Sequence, residues 1–301
     1  MKKSIRWVPG IPALFLVMIL SCNKSSSPAG NPITPLQNLV NTDTSMAYFH
    51  RLVLVANESG LLADDSVTLL IPTNDALRAA GYLIDSMGSA VADRLVRYHV
   101  IKSRLVPGSA DYTAYPTFLG YSVYSMRDNT SAPWFNGIPA TGEGRQVGKA
   151  LVYRLSAPLS PPADSLPQLL AQDTTLSFFA EALQRTGLDT TLAMGNYTLL
   201  APTNSAWIAA GYDSLGAIDS ADLTSLTQVA KNQVIAGSWF TNTLAGVTTV
   251  MTLQGNTITV GLAGGTLQFS GGGNPAAAVL LSGNRQSGSN LILHRTSQVL
   301  R

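Results

Sequence analysis

Leu69-Leu70-Ile71-Pro72-Thr73-Asn74-Asp75-Ala76-Leu77-Arg78-Ala79-Ala80-Gly81-Tyr82 returns 130 positions later as Leu199-Leu200-Ala201-Pro202-Thr203-Asn204-Ser205-Ala206-Trp207-Ile208-Ala209-Ala210-Gly211-Tyr212. Leu-Leu, Pro-Thr-Asn, Ala, Ala-Ala and Gly-Tyr fall in the same places, far beyond chance for this composition. A period this long does not suit a solenoid unit, so two copies mean two similar globular domains. Each copy has a readable local chemistry. Residues 68–71 and 197–201 are short β-prone apolar runs, expected as buried strands. Pro72 and Pro202 end them. The Thr-Asn that follows offers side-chain oxygens to the unpaired N–H groups of a new helix, and Asp75 puts negative charge near its positive end.

The flanks repeat as well. Upstream, Met46, Phe49 and Val53 make one helical stripe, and Leu176, Phe179, Ala180 and Leu183 make the other. Gly60 and Gly187 are the expected stops. Downstream, a second helical stretch is expected to end in Val100-Ile101 and in Val234-Ile235. Each copy closes on a short apolar strand, residues 150–153 and 291–294. The second copy adds strands at 257–260, after the turn Gly255-Asn256, and at 267–270, followed by a loop at 271–275. Residues 158–162, with Pro158, Pro161 and Pro162, read as a short semi-rigid spacer between the copies. Helices come early and strands late in each copy, which predicts an α+β fold.

The N-terminal segment reads as an address. Lys2, Lys3 and Arg6 precede an apolar run over 8–20 that Pro9 and Pro12 interrupt. A spanning helix needs about 20 apolar residues, and a signal peptide needs fewer. Ile19-Leu20-Ser21-Cys22 resembles the bacterial lipobox, which implies cleavage after residue 21 and diacylation of Cys22. Cys22 is the only cysteine, so an intramolecular disulfide and a cysteine-based metal site are excluded. Each buried CH₂ of an acyl chain contributes about 0.8 kcal/mol, enough for several chains to anchor the protein in a bilayer. Residues 22–35, rich in Ser, Gly and Pro, form the expected tether. Taking Lys2, Lys3 and Arg6 from the 19 basic residues leaves 16, against 17 acidic ones. With neither a basic run nor a basic stripe, nucleic acid is not expected as a partner.

A strand running into Ile/Ala-Pro-Thr-Asn and a helix resembles the first signature of the fasciclin domain. Tyr98-His99 is similar to the family's second signature, a Tyr-His pair after the next helix. His294, Val299 and Leu300 fall at the spacing of the third, as do Tyr153, Leu155 and Leu159. The departures are Asn232-Gln233 in place of Tyr-His, Ser156 and Ser297 in place of the closing aspartate, and a loose match over 103–148. The resemblance implies two tandem fasciclin-like domains, 36–160 and 161–301, each with helices packed on a β-sheet wedge or sandwich. It implies a surface or secreted binding module. It also makes Tyr98 and His99 the candidate binding pair and gives Pro72, Thr73, Asn74, Pro202, Thr203, Asn204 and His294 a structural role.

Two readings of His99 stand side by side: a group titrating near neutral pH that meets a partner, or a helix-end histidine bonded within its own domain. His50 and His294 show no ligand spacing, so no metal or other cofactor is expected. There is no Gly-x-Ser-x-Gly elbow, Ser-x-x-Lys set or phosphate loop, and an enzyme is not expected. The expected function is binding or adhesion by a lipid-anchored outer-membrane protein, on a side of that membrane left open. Its partners would be the bilayer, through acylated Cys22, and a protein or carbohydrate ligand. A periplasmic structural or accessory lipoprotein of an envelope or glycan-uptake complex is the alternative. Trp134-Phe135, Trp207 and Trp239-Phe240 would favour sugar stacking if exposed. Asp-Ser and Asp-Thr pairs such as Asp164-Ser165, Asp173-Thr174 and Asp213-Ser214 are similar to an O-glycan acceptor motif of some Gram-negative bacteria, and they equally suit turns and helix caps.

Overall fold

Thr34 opens the first helix, α1 (Pro35–Thr42), through a capping box: its hydroxyl accepts from Gln37 N–H and its own N–H donates to Gln37 Oε1. The computed structural model describes residues 33–64, 66–105, 112–127, 132–271, 278–288 and 291–301. The signal peptide, Cys22 and most of the tether lie outside these residues, as does most of the 271–275 loop. Helix α2 (Ala47–Val55) buries Phe49, Leu52 and Val53. It ends on Asn57 at φ 56°, where Asn57 N–H reaches Leu54 O and Glu58 N–H reaches Val53 O. That is a Schellman end with asparagine in the left-handed position. Gly60, the expected stop, sits instead in a following 3₁₀ turn.

The strand β1 (Thr68–Pro72) follows, then α3 (Asn74–Ala79), α4 (Ser89–Tyr98) and β2 (Val100–Ile101). Val100-Ile101, expected as helix, is therefore strand. The helix stops at His99, and the β-branched pair turns back antiparallel onto Leu69 and Thr68. Short strands β3 (Thr113–Pro116), β4 (Ser122–Met126), β5 (Trp134–Phe135) and β6 (Ile138–Pro139) form an antiparallel sheet. The copy closes with β7 (Arg145–Val147) and β8 (Ala150–Leu155), giving a second sheet in the order β2-β1-β8-β7. In it β1 and β8 run parallel, Leu69 beside Val152 and Leu70 beside Tyr153. Leu69 and Ile71 face the helices, while Leu70 packs with Tyr98, Ile101, Phe135 and Leu155 under the β3–β6 sheet. Covered on both faces, β1 reads as a continuous apolar run rather than an alternating one.

The second copy repeats the plan with α5 (Leu166–Ala171), α6 (Ser177–Arg185), α7 (Leu188–Ala193), β9 (Tyr197–Pro202), α8 (Asn204–Ala209), α9 (Leu215–Ser220), α10 (Leu223–Asn232) and β10 (Val234–Ala236). Gly187, at φ 67°, ends α6 as expected. After α11 (Thr241–Ala245) come β11 (Thr249–Met251), β12 (Thr257–Ala263), β13 (Thr266–Ser270), β14 (Ala278–Ser287) and β15 (Leu291–Thr296). Here the strands join in the order β10-β9-β15-β14-β13-β12-β11, because the ten-residue β14 bends at register shifts and reaches both β15 and β13. Parallel pairing of β9 with β15 mirrors that of β1 with β8.

The segment between the copies is not a free spacer. Leu159 is fully buried, Ala163 bridges to Ser287, and Arg94 Nη2 donates to Pro162 O at 2.7 Å. Proline content favoured an extended path, and packing on both copies then fixed it. Residues 33–301 form one compact unit. Where the copies meet, Tyr98 OH donates to Gln286 Oε1 (2.6 Å) and accepts from Asn136 Nδ2 (2.8 Å), with all three residues buried. Beside them Gly137, at φ 76°, comes so close to Asn284 that a Cβ would stand 2.7 Å from its amide nitrogen.

Candidate functional site

The Thr-Asn signature does the same work in both copies. Thr73 Oγ1 accepts from Ala76 N–H and Thr203 Oγ1 from Ala206 N–H, capping α3 and α8. Asn74 Oδ1 accepts from Tyr48 N–H (3.1 Å) while its Nδ2 donates to Thr44 O (2.9 Å). Asn204 does likewise with Phe178 N–H (3.0 Å) and Thr174 O (3.1 Å). Each asparagine thus ties the start of one helix to the start of another. Pro72 and Pro202 end their strands beside Leu155 and Thr296, whose carbonyls accept from Thr73 and Thr203 N–H.

Tyr98 and His99 are both fully buried. His99 Nδ1 lies 2.7 Å from Leu95 O, and its Nε2 accepts from Leu159 N–H at 3.0 Å. Those partners require a neutral ring protonated at Nδ1, and burial pushes its pKa down to about 4. Burial also drives the Tyr98 phenol far above its ordinary value. Neither side chain presents an atom to a partner, so any ligand must be met by other residues. Gln233, at the position of His99, makes the same pair of connections: Nε2 donates to Val229 O and Leu300 O, and Oε1 accepts from Leu300 N–H. An amide there replaces an imidazole because both combine a donor and an acceptor, and the job is to tie a helix end to the departing chain.

His294 is also fully buried, accepting from Asn284 N–H at Nδ1 (3.2 Å) and donating from Nε2 to Trp239 O (2.6 Å). Burial lowers its pKa to about 4 as well. His50 lies apart on α2. The described residues hold no group of three or more His, Cys, Asp or Glu placed to bind a metal ion.

Among the aromatics, Phe135, Trp207 and Phe240 are fully buried, and Trp134 and Trp239 are half-buried. Trp207 packs edge-on against Tyr212, and Phe240 against Tyr112 and Tyr124. Burial counts against a stacking platform built on all five. Of the Asp-Ser and Asp-Thr pairs, Ser165, Asp173 and Ser214 serve as helix N-caps, and Ser165, Thr174 and Ser214 are exposed.

Two open depressions mark the outer helix faces. In the first copy Tyr48, Arg51, Arg78 and Tyr82 line a groove of about 460 Å³, with the Arg78 guanidinium 4.9 Å from the Tyr48 ring centre. In the second, a more apolar cleft of about 430 Å³ runs between Leu166, Leu170, Leu183 and Leu215. Glu181 lines that cleft, its pKa raised by burial and then by Asp219. The polar residues where the copies meet, Asn136 and Gln286, escaped sequence reading. Their only signal was the type of residue, since they lie 150 positions apart.

The transforming growth factor-beta-induced protein ig-h3 of Sus scrofa is 24% identical over 259 residues, covering 79% of this chain and 36% of that protein. Its counterpart in Oryctolagus cuniculus is 23% identical over 292 residues, 91% of this chain and 40% of the relative. The chain therefore spans about two fifths of the length of these relatives. Among solved structures, the FAS1 domain pair of the insect cell adhesion molecule fasciclin I is 15% identical, with a TM-score of 0.43 over 85% of this chain and 97% of that one. Residues 174–301, nearly the whole second copy, match the family model described as the Fasciclin domain, and the chain is homologous to fasciclin-domain proteins.

Proposed function

We propose that the protein is a bacterial lipoprotein whose two fasciclin-like modules, 36–160 and 161–301, bind a protein or carbohydrate ligand outside the cytoplasm and do not catalyse a reaction. In this reading the signal peptide, 1–21, is removed, acylated Cys22 holds the chain in the outer membrane, and residues 22–35 are the tether. The observation that carries it is the double use of the signature residues. Thr73, Asn74, His99, Thr203, Asn204, Gln233 and His294 are all bonded within the fold. That leaves the exposed helix faces and loops as the part of the scaffold able to meet a partner. The homology to fasciclin-domain proteins supports the same reading.

The test is protease treatment of intact cells, followed by detection with an antibody to the second copy. Loss of the signal while a periplasmic control survives is expected for a surface adhesin, as is loss of membrane association in Cys22→Ser. Protection until the outer membrane is opened would end the adhesin reading and turn the search to periplasmic partners.

A further inference from the structure

The surface by which the first copy grips the chain of the second has a counterpart on the second copy. Helices α4 and α10 end equivalently, with Tyr98 and Asn232 last and His99 and Gln233 at the cap. The turns that follow also superpose by their bonds. Phe118 N–H donates to Val100 O as Leu253 N–H does to Val234 O, Thr117 N–H to Tyr121 O as Thr252 N–H to Asn256 O, and Gly120 and Gly255 share φ 96°. Arg94 therefore corresponds to Gln228, Tyr98 to Asn232, and Tyr121 to Asn256.

On the first copy these residues hold a stretch of polypeptide. Arg94 donates to Pro162 O (2.7 Å) and to Asp164 Oδ1 (3.1 Å), Tyr121 OH donates to the same carboxylate oxygen (2.7 Å), and Tyr98 OH donates to Gln286. On the second copy the corresponding place is an open cavity of about 400 Å³, lined by Tyr212, Gln228, Asn232, Gln254, Asn256 and Arg301. Its floor is set: Asn232 Oδ1 accepts from Thr252 Oγ1 (3.1 Å) and from Asn256 Nδ2 (3.0 Å). Among the described residues no Asp or Glu side chain lines it.

We propose that this cavity is a docking site for an extended, proline-containing polypeptide segment of a partner module, held by its main-chain groups. The counterpart surface already holds residues 162–164, through one main-chain oxygen, Pro162 O, and through the Asp164 carboxylate. The exchange of Arg94 and Tyr121 for Gln228 and Asn256 removes both donors to the Asp164 carboxylate. Side-chain amides put in their place pair a donor with an acceptor, as a peptide bond does. At the place of residue 164 the occupant meets two neutral amides, and the cation in the lining, Arg301, donates to Ala210 O, so a neutral side chain is expected there. A proline-rich stretch is already extended, so it loses little freedom on docking. The inference deepens the binding-module reading by giving it a site and a class of partner. Membrane anchoring and surface exposure can fail without touching it.

The test is titration of the full chain with two labelled synthetic peptides spanning residues 159–166, one native and one carrying Asp164→Asn, read by fluorescence polarisation. The Asn peptide is expected to saturate with a sub-millimolar Kd, at least threefold tighter than the native peptide. Gln228→Ala, at an exposed position where the fold tolerates change, and Asn256→Ala, which also removes a bond to Asn232 Oδ1, are each expected to weaken it at least fivefold. Gln228→Arg with Asn256→Tyr, restoring the first copy's donors, is expected to reverse the preference towards the aspartate peptide. Absence of saturable binding by either peptide, or binding indifferent to Gln228→Ala and Asn256→Ala, overturns the proposal. So does saturable binding of maltohexaose that those two variants abolish while neither peptide competes, which would make the cavity a carbohydrate site.

Discussion

At the scale of single residues, the two buried histidines tie protonation to folding. Each is neutral in the fold, with one ring nitrogen accepting from a backbone N–H, Leu159 to His99 and Asn284 to His294. A proton added at either nitrogen would face that N–H with a second one. The folded pKa values, about 4, lie below the ordinary 6.5. The unfolded chain therefore binds protons between pH 6.5 and 4 that the folded chain refuses, so stability is full above pH 6.5, falls as the pH drops, and levels off below 4. The size is on the order of 3 kcal/mol per histidine. Urea unfolding at pH 7.5 and pH 4.5 should record that loss, and His99→Gln should remove about half of it. At pH 7.5 the same variant should cost little, since Gln233 shows an amide making these bonds. His99→Ala, which leaves Leu159 N–H buried without its acceptor, should cost roughly 1–3 kcal/mol for that group alone, before any packing loss. An unaltered pH dependence in His99→Gln would remove the histidine from the account.

At the scale of elements, Asn74 and Asn204 act as rivets. Each joins a strand-to-helix turn to the start of an earlier helix, α2 or α6, across 26 and 30 positions. Asn74→Ala frees Tyr48 N–H and Thr44 O together and should lower stability by about 1–2 kcal/mol, with Asn204→Ala alike. The check is the urea midpoint at constant m-value, and a change below about 0.5 kcal/mol would reduce the rivet to an ordinary surface contact. These joints were legible in the sequence because their chemistry is local and occurs twice: a proline ends a strand, a threonine caps, and an asparagine follows. What was not legible depends on distance or on a shared appearance. Val100-Ile101 continues the apolar pattern of α4, and only its pairing with β1 makes it strand. Asn57 stopped α2 in place of Gly60, since asparagine also tolerates positive φ. The strands between 113 and 139 run two to five residues, too few to show a period. Gln233 departs from the Tyr-His pattern in type alone, and only the distant Leu300, bonded to both ends of its amide, gives it the role of His99.

At the scale of the whole molecule, the question is whether two modules joined by a proline-rich segment move independently. The burial of Leu159 and the Tyr98–Asn136–Gln286 cluster say they do not. A buried polar cluster of this kind is costly to break, because parting the copies without water takes Gln286 from both its partners, Tyr98 and Asn136, which keep their bond to each other. The same cluster gives the tyrosine of one copy and the asparagine of the other different partners. Tyr98 has Gln286 of the second copy to meet, whereas Asn232 meets the copy's own Thr252 and Asn256. Rigid coupling predicts one cooperative unfolding event for residues 33–301, with the amides of Leu70 in β1 and Leu200 in β9 exchanging at the same global free energy. Tyr98→Phe keeps the ring and removes only the hydroxyl, so it should lower that energy by about 1 kcal/mol, since Asn136 Nδ2 still donates to Gln286 Oε1 (3.3 Å). Because the loss falls on the contact between copies, the variant should also separate the two amides, with one copy opening before the other. Native-state hydrogen exchange reads both quantities at once. If Leu70 and Leu200 already exchange at different energies in the unaltered protein, the copies are independent and the cluster is a contact of convenience. If they coincide and Tyr98→Phe parts them, the hydroxyl of one residue sets the distance and angle between the two copies.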